Sequence, residues 1–316
     1  MFPKKTARVS LCNLAGEKQM GRSNILMGRI GMAWLAAAMA VVAPSLAEAQ
    51  QADGASEPIC PPLPAIAPQL VDQLMEMFLK PGETFNLSHL SPEMLKQIGS
   101  IQMESEKRKA RDWADLCHYA AENAKLAATG QRPRVVFMGD SITENWTRGD
   151  PALFGTGNAG RGISGQTTPQ ILLRMYPDVI NLRPRVVHIM AGTNDISGNT
   201  GPTSDQTIVD NIRAMIVLAK ANGIKVVLAS ITPSSSYAMH PGANPSARIA
   251  HVNGLLRQLA TEQGVTFVDY HTPMVDGAGG LRAGLSNDGL HPNRNGYAIM
   301  HPLTEKAIAQ AEKHRL

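Results

Sequence analysis

A three-layer α/β/α sandwich around a central parallel sheet of about five strands, preceded by N-terminal helices, is the fold that the sequence predicts. Three observations predict it. From Arg134 onward, short β-branched runs alternate with amphipathic helical stripes, and such alternation implies parallel strands with helices on both faces. Two of those stripes end in helix-stopping glycines, at Asn222-Gly223 and at Gly264. The 316 residues are 43% hydrophobic and 18% charged, which suits one large globular domain and is too apolar for a disordered chain.

The front of the chain follows a different logic. Residues 1–49 hold six of the 30 lysines and arginines (Lys4, Lys5, Arg8, Lys18, Arg22, Arg29) and two of the 26 acids, leaving 24 of each in the remainder. The net charge of +4 therefore belongs to the front, and a neutral body excludes a basic nucleic-acid footprint. Arg29 precedes an apolar run, Ile30 to Ala43, followed by Pro44 and the small-residue pattern Ala47-Glu48-Ala49. This reads as a secretory signal peptide cut after Ala49, with Met20 or Met27 a more ordinary start. The run is shorter than the roughly 20 residues of a spanning helix, so no stable membrane anchor is expected after cleavage. A secreted or periplasmic protein follows.

Residues 50–64 are rich in Ala, Pro, Ser and Glu, as a flexible leader would be. Cys60 and Cys117 then face an oxidising compartment, either bonded to each other or as separate thiols. A helical segment is expected over 65–130. Its first helix carries Ile66, Leu70, Leu74, Met77 and Phe78 on one face and breaks at Pro81-Gly82; a second runs from about Glu104 to Ala128. Residues 131–316 form the main domain. Its strands are Arg134 to Met138, a brief one near Gly157 to Ala159, Val186 to Met190, Lys225 to Ser230 and Thr266 to Val268. One helical stripe holds Ile208, Ile212, Met215, Ile216 and Ala219, another holds Ile249, Val252, Leu255, Leu256 and Leu259, and a last helix runs from Asn295 to Lys313.

In a parallel sheet of this kind, functional groups gather at the carboxyl ends of the strands. The first strand ends in Gly139-Asp140-Ser141, which holds a serine hydroxyl at a strand-to-helix turn beside a helix N-terminus that favours negative charge. The same tripeptide is also good helix-capping chemistry. The third strand ends in Ala191-Gly192-Thr193-Asn194-Asp195, where Asn194 offers a neutral amide donor suited to an oxyanion, or a simple turn. Between them, Gly160 to Thr168 is a glycine-rich loop without the Lys-Ser/Thr ending of a phosphate loop, so a bare N–H at Gly165 is its economical use. Near the C-terminus, Asp288-Gly289-Leu290-His291 places an acid three residues before a histidine, so that one imidazole nitrogen can be held while the other takes a serine proton. A metal reading of this pair lacks a second His/Cys cluster at ligand spacing.

Together these four segments resemble the SGNH hydrolases, the GDSL esterase and lipase superfamily, over Arg134 to about Lys313. The phrases GDSITENW, GISGQTT, AGTNDI and DGLHPNRNGY are similar to those of bacterial relatives of the platelet-activating-factor acetylhydrolase subunits and of carbohydrate acetylesterases. The resemblance implies a flavodoxin-like fold, Ser141 as nucleophile with His291 and Asp288, and an oxyanion hole made by Ser141, Gly165 and Asn194. Ile142 replaces the leucine of the name-giving motif and leaves the nucleophile in place.

Asp140, Trp146 and His271 are further candidates for contact with substrate, Trp146 being equally a core residue. His188, inside the third strand, reads as core, and His240, His251, His301 and His314 read as lacking an orienting acid. The polar, Pro/Gly-rich stretches Thr232 to Pro245 and Gly277 to Asn287 should rim an open site. The implied activity is hydrolysis of short-chain esters, chiefly acetyl, on a small ester or an acetylated carbohydrate, with no metal or organic cofactor. An acyltransferase using the same acyl-enzyme, or a non-catalytic carbohydrate- or lipid-binding protein on the same fold, is the alternative.

Overall fold

The computed structural model describes residues 59–60, 66–155, 157–237 and 242–313. The signal-peptide and leader expectations over 1–49 and most of 50–64, and those for His240 and His314, lie outside them. Glu57–Leu316 form one compact unit.

The chain enters through α1 (Pro68–Leu79), α2 (Pro92–Arg111) and α3 (Ala120–Thr129). Next come β1 (Val135–Gly139), α4 (Ser141–Gly149), the short α5 (Pro151–Phe154), β2 (Ala159–Gly162) and α6 (Thr168–Leu173). A π-turn at Tyr176–Ile180 leads into β3 (Val186–Met190), α7 (Thr193–Ile196), α8 (Asp205–Ala221) and β4 (Lys225–Ala229). The chain closes with α9 (Ser246–Gln263), β5 (Thr266–Val268), α10 (His271–Met274) and α11 (Arg294–Lys313). All neighbouring strands are parallel, in the order β2-β1-β3-β4-β5. The order reverses direction between β1 and β3, which opens a crevice above their carboxyl ends.

Side chains alternate across each strand. In β1, Val136 and Met138 join the core that includes Ile171, Ile212 and Leu256, while Val135 and Phe137 join the opposite core with Trp146, Tyr297 and Ile308. Both faces are covered, which is why β1 and β3 are buried along their whole length and read as apolar runs, broken in β3 only by His188. Glycine ends the long helices as expected: Gly264 caps α9 at φ 62°, and Gly223, at φ 70°, follows the Asn222 cap of α8.

Three expectations need correction. The second strand lies at Ala159–Gly162, later than the predicted Gly157 to Ala159, because its sequence is glycine-rich and carries no β-branched signal. Glycine is required there by packing: a Cβ on Gly162 would lie 2.2 Å from the Glu144 nitrogen, and one on Gly160 2.4 Å from Thr147 Cγ2. The predicted helix from Glu104 to Ala128 is two helices, α2 and α3, and α2 begins earlier, where the Ser91 hydroxyl accepts from the Met94 N–H. The break at 112–119 is held by local side-chain bonds and one long-range crosslink. Asp115 sits at φ 54° with its carboxylate gripped by Arg108 at 2.8 and 2.9 Å, and Asp112 accepts from the Cys117 N–H at 3.0 Å. Cys117 is disulfide-bonded to Cys60. Ile66, expected on the buried face of the first helix, precedes α1 and is exposed.

Candidate active site

The first part of the site is the turn between β1 and α4. Gly139 must be glycine, since a Cβ there would meet Thr143 Oγ1 at 2.1 Å and the Met190 carbonyl at 2.6 Å. Asp140 caps α4, its Oδ1 accepting from the Ile142 N–H at 3.0 Å. Ser141 is then the first helical residue, so its own N–H has no acceptor within the helix. Asp140 is only 2% exposed. Burial pushes its carboxyl up to about 7, against the pull of the Ile142 N–H and of His291. Asp140 is therefore a buried cap beside Ser141.

The second part is the loop before α11. Gly289, at φ 82°, permits a tight turn in which Asp288 Oδ1 accepts from the N–H groups of Leu290 and His291 at 2.9 and 2.8 Å and from Ser286 Oγ at 3.0 Å. Oδ2 is left for His291 Nδ1 at 2.6 Å, and His291 Nε2 lies 2.9 Å from Ser141 Oγ. Burial raises the Asp288 carboxyl, but the His291 imidazole and the two N–H groups outweigh it and hold the group at about 2. With Nδ1–H given to a permanent carboxylate, Nε2 is the nitrogen that can accept a hydroxyl proton.

The third part joins two more loops. The Gly165 N–H bonds to no described residue, and its φ of 79° belongs to the left-handed region. Asn199 Nδ2 donates to the Gly165 carbonyl at 3.1 Å and to Asn194 Oδ1 at 2.9 Å, which fixes the orientation of the Asn194 amide. Asn194 Nδ2 donates to the Gln166 carbonyl at 3.0 Å, which leaves one of its two amide hydrogens without a described acceptor. The loop is braced from below. Arg174, fully buried, donates to Gln166 Oε1, the Arg161 and Gly139 carbonyls and Asp178 at 2.7 to 3.1 Å. Asp195 receives both the N–H and the hydroxyl of Thr168.

The structure joins Asp288, His291 and Ser141 in one relay and ties the loops of Gly165 and Asn194 to each other through Asn199, but sequence reasoning misses the residues that hold them. Asn199, Arg174 and Ser286 act through bonds to other motifs. Phe78, from α1, sets its ring edge-on to the His291 ring at 5.1 Å and stacks on Phe85 at 4.5 Å. Asn287 ties the same loop to α1, donating to the Met77 and Lys80 carbonyls at 2.9 and 2.8 Å.

Other candidates lie elsewhere. Trp146 is fully buried, stacked on Tyr297 and edge-on to Phe137 and His188, so it belongs to the core and walls no pocket. His188 is buried as expected, bonded to the Tyr270 hydroxyl at 2.9 Å, and burial pushes it down to about 3. His271 opens α10, and Asp269 gives its carboxylate to Thr272 and Arg257 instead. The reading that His251 and His301 lack an acid is corrected: His251 is 3.8 Å from Asp205, and His301 Nδ1 is 2.6 Å from Asp150. Neither imidazole is bonded to a described hydroxyl. Among the described residues, no group of three or more His, Cys, Asp or Glu could hold a metal.

A carboxylate, an imidazole and a hydroxyl in this relay can deprotonate an alcohol and make it a nucleophile. The model of the GDSL-like lipase/acylhydrolase family matches residues 137–299, just over half of the chain. Two crystal structures are similar. A GDSL-like lipase of Bacteroides thetaiotaomicron is 43% identical, covering 63% of this chain and 98% of its own, with a TM-score of 0.60. A candidate acylhydrolase of Bacteroides fragilis is 41% identical, covering 64% and 99%, with a TM-score of 0.61. An uncharacterized lipoprotein of Bacillus subtilis is 35% identical over 75 residues, so that this chain spans about a third of that protein's length.

Proposed function

Because the chain belongs to the GDSL-like lipase and acylhydrolase family, and so is a hydrolase of esters, we propose that it is a secreted or periplasmic serine esterase of short-chain, chiefly acetyl, esters. The observation that carries this reading is the continuous contact from Asp288 through His291 to the Ser141 hydroxyl.

Ser141 Oγ attacks the ester carbonyl as His291 Nε2 takes its proton. Asp288 holds the imidazole in the required tautomer and stabilises the cation formed. The N–H groups of Ser141 and Gly165 and the amide of Asn194 receive the oxyanion. Collapse expels the alcohol, protonated by His291, and leaves an acyl-enzyme. A water that gives its proton to the same imidazole attacks the acyl carbon, and the acid departs with Ser141 restored. These steps use side chains, backbone and water only.

Gly165, Asn194 and Asn199, joined by the Asn199 amide at 2.9 to 3.1 Å, are small and polar, which supports a preference for short acyl groups. The Cys60–Cys117 disulfide supports an oxidising compartment. The test is a nitrophenyl ester series of increasing acyl length, with acetylated xylan and pectin fragments alongside. Activity should be greatest at acetyl and fall at least ~10³-fold in Ser141→Ala at unchanged folding. Full activity in that variant would move the nucleophile elsewhere.

A further inference from the structure

One helical turn below the nucleophile, α1, α3, α4 and β2 enclose a cleft of about 710 Å³, within the roughly 300–1,000 Å³ of small-molecule sites. It contains no residue of the proton relay, and it meets the loop that carries Gly165 at Ser164. Glu144 and Asn145, which line it, stand three and four residues beyond Ser141 on α4, about 6 Å along the axis, and Ser164 on its edge adjoins Gly165.

The chemistry of the lining is specific. Asn145 is only 6% exposed, yet its carboxamide is bonded to no described residue. As a lining residue with no described partner, Asn145 can offer two donors and an acceptor to a ligand in the cleft. The fixed charges are already committed. Arg161, 3% exposed, donates to Asn123 and the Gly160 carbonyl and lies 3.5 Å from Glu122. Glu144 accepts the Ser164 N–H and hydroxyl at 2.7 and 2.5 Å, and Arg148 pairs with Asp72. Met75 and Leu126 supply an apolar wall. An anionic ligand would find Lys125 as its one cation without an ion pair among the described lining residues, and an aliphatic chain would leave the Asn145 amide unmet.

We propose that this cleft is a second ligand site that holds an uncharged polyhydroxylated chain, a saccharide, whose hydroxyls pair with Asn145 while its C–H faces lie on the apolar wall. The proposal rests on the esterase reading only in making that chain the alcohol part of the substrate, extending from the ester at Ser141. It also gives α1 and α3, which precede the family match, a share in choosing substrate.

The experiment is a calorimetric titration of the full-length Ser141→Ala protein with non-acetylated xylotetraose, cellotetraose and mannotetraose. Binding in this protein needs no catalysis, so a wrong nucleophile would show in the nitrophenyl acetate assay and not here. At least one saccharide should bind saturably, and Asn145→Ala should weaken it ~10-fold or more. Lys125→Trp, a change at an exposed helical position that narrows the cleft, should weaken it too and does not disturb the core. No saturable binding by any of the three up to about 10 mM, or binding that neither change alters, would overturn the proposal.

Discussion

Asp288 carries a direct electrostatic consequence for stability. Its carboxyl is held at about 2 against an ordinary 3.8. A depressed carboxyl stabilises the fold above the unfolded value and loses that contribution as pH falls through the folded one. The stability gap between wild type and Asp288→Asn, measured by urea midpoints, should therefore close by about 2 kcal/mol between pH 4 and pH 2. A gap independent of pH would mean that the carboxylate is not gripped as described. The residues of the relay and the candidate oxyanion donors were legible in the sequence because each stands in a short motif, three of them just after a strand. Asn199, which bonds to Asn194 and to Gly165 in another loop, and Arg174, which ties three segments, were not. Contacts between separate loops leave no local spacing to mark them.

Among the elements, α1 bears most directly on the base. Phe78 lies against the His291 ring and Asn287 anchors the loop to the end of α1. An aromatic contact of this kind is worth about 0.5–1.5 kcal/mol. Phe78→Ala should lower turnover of nitrophenyl acetate about 2- to 10-fold, with Phe78→Leu between it and wild type, in a steady-state assay. Unchanged turnover in both variants would make α1 a neighbour with no hold on the base. The sequence revealed α1 by its apolar face but said nothing of what that face would touch. The same limit displaced β2, whose Gly160 and Gly162 are set by the closeness of α4, and hid the break between α2 and α3, set by Arg108 and a disulfide partner 57 residues away. The strands β3 and β5 were legible to the residue, since β-branched runs bounded by loops suffice for strands buried on both faces.

At the scale of the molecule, the N-terminal helices and the sheet form one body with two ties to the site. The segment after α2 donates no side chain to the crevice, yet its Trp113 and Ala114 carbonyls accept from Gln170 and Gln166, and Tyr119 donates to the Gly162 carbonyl. Cys117 lies in this segment, so the disulfide to Cys60 braces the loop that carries Gly165. Reduction, or the paired Cys60→Ser and Cys117→Ser changes, should cost about 2–4 kcal/mol by loop-closure entropy, read as a lower urea midpoint under reductant. An unchanged midpoint would show that the brace holds without the crosslink.

The central claim is that one hydroxyl, Ser141 Oγ, is the nucleophile made reactive by His291 and Asp288. Mass spectrometry of the protein after reaction with a serine-directed phosphonate tests it most directly. The account predicts a single adduct on the peptide carrying Ser141, absent in Ser141→Ala and formed at least ~10²-fold more slowly in His291→Ala. An adduct on another residue, or labelling at full rate in either variant, would contradict it.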